Sequence, residues 1–317
     1  MSTIFDSLLR PTIIAAARSD RIKRTSERLT VTRNVVRRFV PGDDLDDVVR
    51  AIWRQLDNGT SVSIDFLGED TTTEAQADDT VEAYLALLEA MSAIHAALPG
   101  QLEVSVKLTA LGQSLPEHGP KIAEANARRI VTAAHAAGVL VTVDAEDHTT
   151  VDQRLDIVRS LRGDFPEVGT VLQAYLRRTE DDCTEFAAAG ARIRLCKGAY
   201  AEPPSVAFPD RRLIDEAYLR CLRILMKGNG YPMVASHDPV IIEAAALLAA
   251  EVGREPDNWE HQMLYGIRTD EQRRLAARGH VRVYIPYGQQ WYGYLVRRLA
   301  EKPANLTFFL RALGRQR

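Results

Sequence analysis

The stretch VRVYIPYGQQWYGYLVRRLAE, from Val281 to Glu301, reads as a strand, a glycine turn and a helix. Val281, Val283 and Ile285 alternate with Arg282 and Tyr284, the period of two that a strand imposes, and Pro286 and Gly288 close the run. From Gln289 onward Trp291, Tyr294, Leu295 and Leu299 recur at helical spacing, so Tyr294, Arg297 and Arg298 share one helix face. Two adjacent guanidiniums repel each other, and an arginine fork grips a carboxylate or phosphate through two parallel hydrogen bonds. An anion would relieve that repulsion. The same pair also suits a solvated amphipathic face.

The same kind of short branched run recurs seven times upstream of this strand. The runs are SVSIDFLG from Ser61, LEVSVKLTALG from Leu102, VLVTVDAED from Val139, TVLQAYL from Thr170, RIRLCKGAY from Arg192, YPMVASHD from Tyr231 and WEHQMLYG from Trp259. Between them lie apolar-periodic stretches: Thr80–Leu98, Ile122–Ala137, Val151–Leu161, Cys183–Ala189, Leu213–Met226, Ile241–Val252 and Asp270–Ala277. Eight strands alternating with crossover helices over the span of one large domain predict an α/β fold of the closed (β/α)8 type, a TIM barrel. A doubly wound sheet is the alternative, but no GxGxxG follows any run. The expected organisation is an N-terminal helical segment over 1–59, a barrel over 60–317, and a final helix across the barrel mouth.

Composition bounds the function. The 317 residues have a 46% apolar fraction, enough for a sizeable core, and 40 basic against 43 acidic residues give a net charge of -3. Bulk electrostatics therefore predict no nucleic-acid partner and favour a small-molecule substrate. Cys183, Cys196 and Cys221 are odd in number and lack CxxC spacing, which argues against a disulfide framework or a zinc site and for a reducing cytoplasm. No apolar run is long enough to span a bilayer, and the first residues lack a secretory pattern. The basic segment Arg18–Arg38 suits either a solvated helix or contact with anionic lipid or a partner.

In a barrel of this kind the active site sits at the C-terminal ends of the strands. There the chain offers Glu69 and Asp70, Lys107, Asp144 with Glu146 and Asp147, Gln173, Arg194 with Lys197, His237 with Asp238, Gln262, and Tyr284. A lysine within VSVKLTAL is costly to bury unless an anion meets it; Lys107 is thus a second cation beside Arg297 and Arg298, an imine-forming amine, or a snorkelling side chain. Asp144 suits either catalysis or an ion pair with Lys107 or an arginine. Gly198 after Arg194 and Lys197 lets backbone N–H groups approach a ligand, although glycine is routine after strands. One rim histidine, His237, is too few to predict a metal.

Taken in order, VKLTALG (106–112), TVDAED (142–147), LQAYLRRT (172–179), RLCKGAY (194–200), ASHD (235–238), QMLYGI (262–267) and YLVRRLAE (294–301) resemble the proline dehydrogenase family over nearly the whole chain. The resemblance implies a distorted barrel that binds FAD noncovalently and oxidises L-proline to Δ1-pyrroline-5-carboxylate, with electrons passing to a membrane quinone. Position by position, it implies that Lys107, Arg297 and Arg298 hold the proline carboxylate, that Asp144 is the active-site aspartate, and that Tyr284, Tyr294 and Leu264 pack around the ring. For the flavin it points to Ala145, Gln173, Arg194, Lys197, Gly198, Ala199, Tyr200, Ser236 and His237, with Arg194 near the N5 edge. In the family a tyrosine at the position of Tyr294 goes with proline rather than 4-hydroxyproline, so the resemblance implies proline. Two positions depart from the family pattern: Asp238 stands where asparagine is common, and Cys196 where an aliphatic residue is. Only NLTFFLRALGRQR follows Ala304, so a monofunctional enzyme and a separate pyrroline-5-carboxylate dehydrogenase partner are expected, in the cytoplasm or peripherally at the inner face of the membrane. Against this stand a barrel lyase using Lys107 as an imine-forming amine, and a silent carboxylate-binding barrel.

Overall fold

The structure, a computed structural model, describes residues 37–68, 71–95 and 100–291. The expected final helix with Tyr294, Arg297 and Arg298, the rim acids Glu69 and Asp70, and helices before residue 37 lie outside the described residues.

The described chain begins its regular structure with helix α1 (Leu45–Asp57), and eight strands then alternate with helices. The strands are β1 (Ser61–Phe66), β2 (Leu102–Val106), β3 (Leu140–Val143), β4 (Gly169–Gln173), β5 (Arg192–Cys196), β6 (Tyr231–Ala235), β7 (Glu260–Leu264) and β8 (His280–Tyr287). The intervening helices are α2 (Glu74–His95), α3 (Gly119–Ala137), α4 (Val151–Asp164), α5 (Thr179–Ala188), α6 (Arg211–Lys227), α7 (Pro239–Glu251) and α8 (Thr269–Ala276). All eight strands pair in parallel and close in sequence order, β8 returning to β1. This is the (β/α)8 barrel that the count of runs predicts.

Local chemistry fixes the element ends. The Asp44 side chain accepts the Asp47 backbone N–H at the start of α1, Asp210 does the same for Arg212 at α6, and Asp238 for Val240 at α7. Each cap satisfies an amide that the first helical turn leaves orphaned. Pro239 sits at the start of α7, where its missing N–H costs nothing. Helices begin earlier than the apolar periodicity suggests, because a first turn is polar: α2 starts at Glu74 and α5 at Thr179.

Pro286 does not end β8, as the sequence suggests; it lies within it, paired in register with Asp65. The Tyr284 carbonyl accepts the Tyr265 N–H on the β7 side, so Pro286, two residues on, faces the same side. There the β7 ladder has already stopped at Leu264, and no donor is needed.

The apolar core lies between the strands and their helices. Val62 and Ile64 of β1 pack with Val48, Ala51 and Ile52 of α1 and with Val81, Tyr84 and Leu87 of α2, all fully buried or nearly so. At ~1.5–3 kcal/mol for each large apolar side chain removed from water, this layer supplies the main drive for closure. Alternation then turns Ser63 and Asp65 of β1, Glu103 and Ser105 of β2, Arg192 and Arg194 of β5, Glu260 and Gln262 of β7, and Arg282 and Tyr284 of β8 toward one another inside the barrel, where they bond across it. A branched-aliphatic interior is usual for such barrels. This one is threaded by charge.

Candidate active site

The deepest charges sit between the strands rather than at their ends. Glu103 is fully buried and accepts from Arg194 Nη2 at 2.7 Å and Arg192 Nη2 at 2.8 Å, with Arg282 Nε at 4.0 Å. Burial alone would raise its pKa, but the three arginines hold it at about 2. Glu260 accepts from Arg282 Nε at 2.8 Å and from Gln262 Nε2 at 2.6 Å. Despite its burial, Arg282 holds its carboxyl below the usual range. Removing one partner from such a network strands a charge in low dielectric, so its members stand or fall together.

Above this floor lies Arg194, only 5% exposed. Its Nε donates to Gln262 at 2.5 Å, Nη1 to Ser105 Oγ at 2.9 Å and Asp144 Oδ1 at 2.6 Å, and Nη2 to Ser63 Oγ at 3.1 Å as well as to Glu103. Burial would lower its pKa, but Asp144 and Glu103 raise it. The guanidinium is a permanent cation whose orientation five hydrogen-bond acceptors determine; its carbon also lies 5.2 Å from the Tyr284 ring centroid.

The uppermost layer joins four strand ends. Lys107, the residue after β2, donates to Asp65 Oδ1 at 2.6 Å and lies 3.7 Å from Asp144 Oδ2. Asp144, the residue after β3, also accepts the Tyr284 hydroxyl at 2.7 Å. Burial, and then the carboxylates of Asp144 and Asp65, push the Tyr284 phenol well above its ordinary value, so it acts as a donor. Tyr84 of α2 braces this rim from outside, donating to the Ser105 carbonyl at 2.5 Å and accepting the Phe66 amide at 3.2 Å.

Of the sequence-predicted residues, Lys107, Asp144, Arg194 and Tyr284 are brought together, and Leu264 is level with Tyr284 in the β7–β8 register. Gln173 ends β4, 3% exposed, with its side-chain oxygen unpartnered. Lys197 points instead at two acids, Asp215 and Asp238, the latter at 2.9 Å. That gives Asp238 two tasks, capping α7 and holding Lys197. Its carboxyl is held below the usual range, the Lys197 ammonium outweighing burial. Ser236 accepts the Asp238 amide at 3.1 Å, and His237 Nε2 accepts the Leu264 N–H at 3.0 Å, which leaves the ring proton on Nδ1. Ala145, Ala199 and Tyr200 follow β3 and β5 on the same rim.

Gly198 has a structural reason besides the one its sequence suggests. Its φ is +109°, and an added Cβ would fall 2.3 Å from the Tyr175 ring, so backbone conformation and Tyr175 both require glycine there. Cys196 is half-buried, and desolvation of its thiol pushes the pKa to about 11 and keeps it protonated. Sequence reading passed over Asp65, Glu103, Glu260, Arg192 and Arg282. Their only sequence signal is a charge at the alternate position of an apolar run, as in SIDF and LEV.

The flavin suggested by the sequence motifs needs an acceptor for its pyrimidine N–H and a cation for its reduced ring. The unpartnered Gln173 oxygen and the buried Arg194 guanidinium are groups of those kinds on adjacent strands, so the residues present fit the group.

Residues 48–311 match the family model described as proline dehydrogenase. The proline dehydrogenase of Deinococcus radiodurans is 36% identical over 313 residues, covering 98% of this chain and 99% of that one. Proline dehydrogenase 1 of Bacillus subtilis strain 168 is 39% identical over 285 residues, 89% of this chain and 91% of its own. Among solved structures, proline utilization A from Bdellovibrio bacteriovorus, inactivated by N-propargylglycine, aligns with a TM-score of 0.79 at 23% identity, over 92% of this chain and 38% of that one. That last likeness is one of fold.

Proposed function

The chain belongs to the proline dehydrogenase family, and from that premise we propose that it oxidises L-proline to Δ1-pyrroline-5-carboxylate with noncovalently bound FAD, as the first step of proline catabolism to glutamate. The observation that carries this reading is the cluster of Lys107, Asp144, Arg194 and Tyr284 at the barrel mouth.

In this reading Lys107 joins Arg297 and Arg298 in holding the proline carboxylate, and Leu264, Tyr284 and Tyr294 enclose the ring. A clamp of this kind converts an encounter into a fixed approach, which supplies much of a catalytic rate. Asp144 fixes Arg194 and Tyr284 at once, accepting from both through separate oxygens. Gln173, Ala145, the Lys197–Gly198–Ala199 backbone, Tyr200, Ser236 and His237 would hold the cofactor. When bound, FAD supplies the acceptor for the hydride leaving proline C5, at its N5. Arg194, a cation that burial does not discharge, stabilises negative charge developing beside it. The substrate amine must be neutral for that transfer.

Electrons then pass to a membrane quinone, and a separate pyrroline-5-carboxylate dehydrogenase takes the product. Among the described residues no helix is long and apolar enough to cross a membrane. A cytoplasmic enzyme that meets the inner membrane face peripherally accommodates both.

The test is the visible spectrum of the purified protein before and after L-proline without oxygen. A yellow flavin band that bleaches on proline is the expected result; a protein that stays colourless after incubation with FAD overturns the reading.

A further inference from the structure

We propose that Asp65 is a positioning residue for the carboxylate clamp, drawing the Lys107 ammonium to the β1 side of the mouth and thereby leaving Asp144 to Arg194 and Tyr284. This inference rests on the proposed function and adds to it a residue that touches neither substrate nor cofactor.

The distances carry it. Lys107 Nζ is 2.6 Å from Asp65 and 3.7 Å from Asp144, so one carboxylate hydrogen-bonds the ammonium and the other pairs with it only at longer range. Asp144 is already committed, at 2.6 Å to Arg194 and 2.7 Å to the Tyr284 hydroxyl. Asp65 is 1% exposed and sits in register with Ser105 of β2 and Pro286 of β8, in the barrel wall where it meets the mouth. Burial raises the Asp65 carboxyl against the pull of Lys107, so the position is an expensive one for a charge.

A buried ion pair of this sort adds little net stability over an apolar pair, and its better-attested use is to impose one arrangement out of several. Here the competing arrangement is identifiable. Without Asp65 the ammonium, already 3.7 Å from Asp144, would close that gap, turning away from an incoming carboxylate and competing with Arg194 and Tyr284 for the same oxygens. An ammonium has three donors; the one held by Asp65 at 2.6 Å sets where the head stands at the mouth.

The experiment is steady-state oxidation of L-proline by the holoenzyme carrying Asp65→Asn, Lys107→Met, and both. Asp65→Asn is expected to raise KM for proline about tenfold with kcat within about threefold, the signature of lost ground-state binding. In the Lys107→Met background the same change should move KM less than about twofold, because the residue acts only through the lysine. Equal increments in KM in both backgrounds, or a wild-type KM in Asp65→Asn, would overturn the proposal. Should Asp65→Asn yield no folded holoenzyme, Asp65→Glu decides: a raised KM with kcat retained supports the proposal, and a wild-type KM overturns it. Wild-type protein inert toward proline would instead remove the proposed function, which separates the two failures.

Discussion

Glu103 exposes none of its surface and faces Arg192, Arg194 and Arg282. Glu103→Gln is expected to destabilise the fold by about 3–5 kcal/mol in denaturant titration, because it leaves three guanidiniums short of their shared anion. The sign of its pH dependence follows from a folded pKa of about 2 against an ordinary 4.5. A depressed carboxyl contributes stability above pH 4.5, about 3 kcal/mol in all, which is lost as pH falls from 4.5 through about 2. Asp65, raised by burial, runs the other way: its contribution is complete below pH 3.8 and is lost as pH rises through its elevated value. At this scale the sequence revealed the rim and hid the floor. Lys107 and Asp144 stand just past their strands and Tyr284 near the end of its own, the positions a barrel reserves for its site, whereas Glu103 and Asp65 are embedded in apolar runs and read as core. Their partners lie 91 and 42 residues away, and no local pattern can announce such a pairing.

The elements were legible because each answers to a local rule. Strands show as short branched runs and helices as apolar-periodic stretches, with aspartate caps at α1, α6 and α7, so all eight strands and seven crossover helices could be read from the chain alone. What escaped is the coupling between elements, and Gly198 shows why: besides its positive φ, part of its constraint comes from Tyr175, on the loop after the neighbouring strand. Gly198→Ala should lower the melting temperature, with a penalty of about 1–3 kcal/mol for a non-glycine residue held at positive φ, before any repacking of Tyr175. The sequence segment beginning at Gln289 is tested through its arginines. Arg297→Met and Arg298→Met should each raise KM for proline severely while the flavin is retained; unchanged kinetics in both would remove them from the clamp.

For the molecule as a whole, acid sensitivity should begin above the carboxylate range. His261 at the base of β7 is buried, which lowers its pKa from 6.5 to about 4. Since the unfolded chain binds that proton first, stability should fall from pH 6.5 toward pH 4 by about 3 kcal/mol. His261→Gln should flatten that limb in a pH series of denaturant midpoints. The closed sheet has one further property. β8 and β1 share six register pairs, Ser61–Arg282 through Phe66–Tyr287, whereas β3 and β4 share two, Thr142–Gly169 and Val143–Thr170. A hoop of staves fastened so unevenly has a preferred place to spring: under thermal breathing the wall should part between β3 and β4, beside the buried and unpartnered Thr142 hydroxyl. The same stave carries Asp144, so momentary gaping of that joint would loosen the hub from which Arg194 and Tyr284 take their bearings.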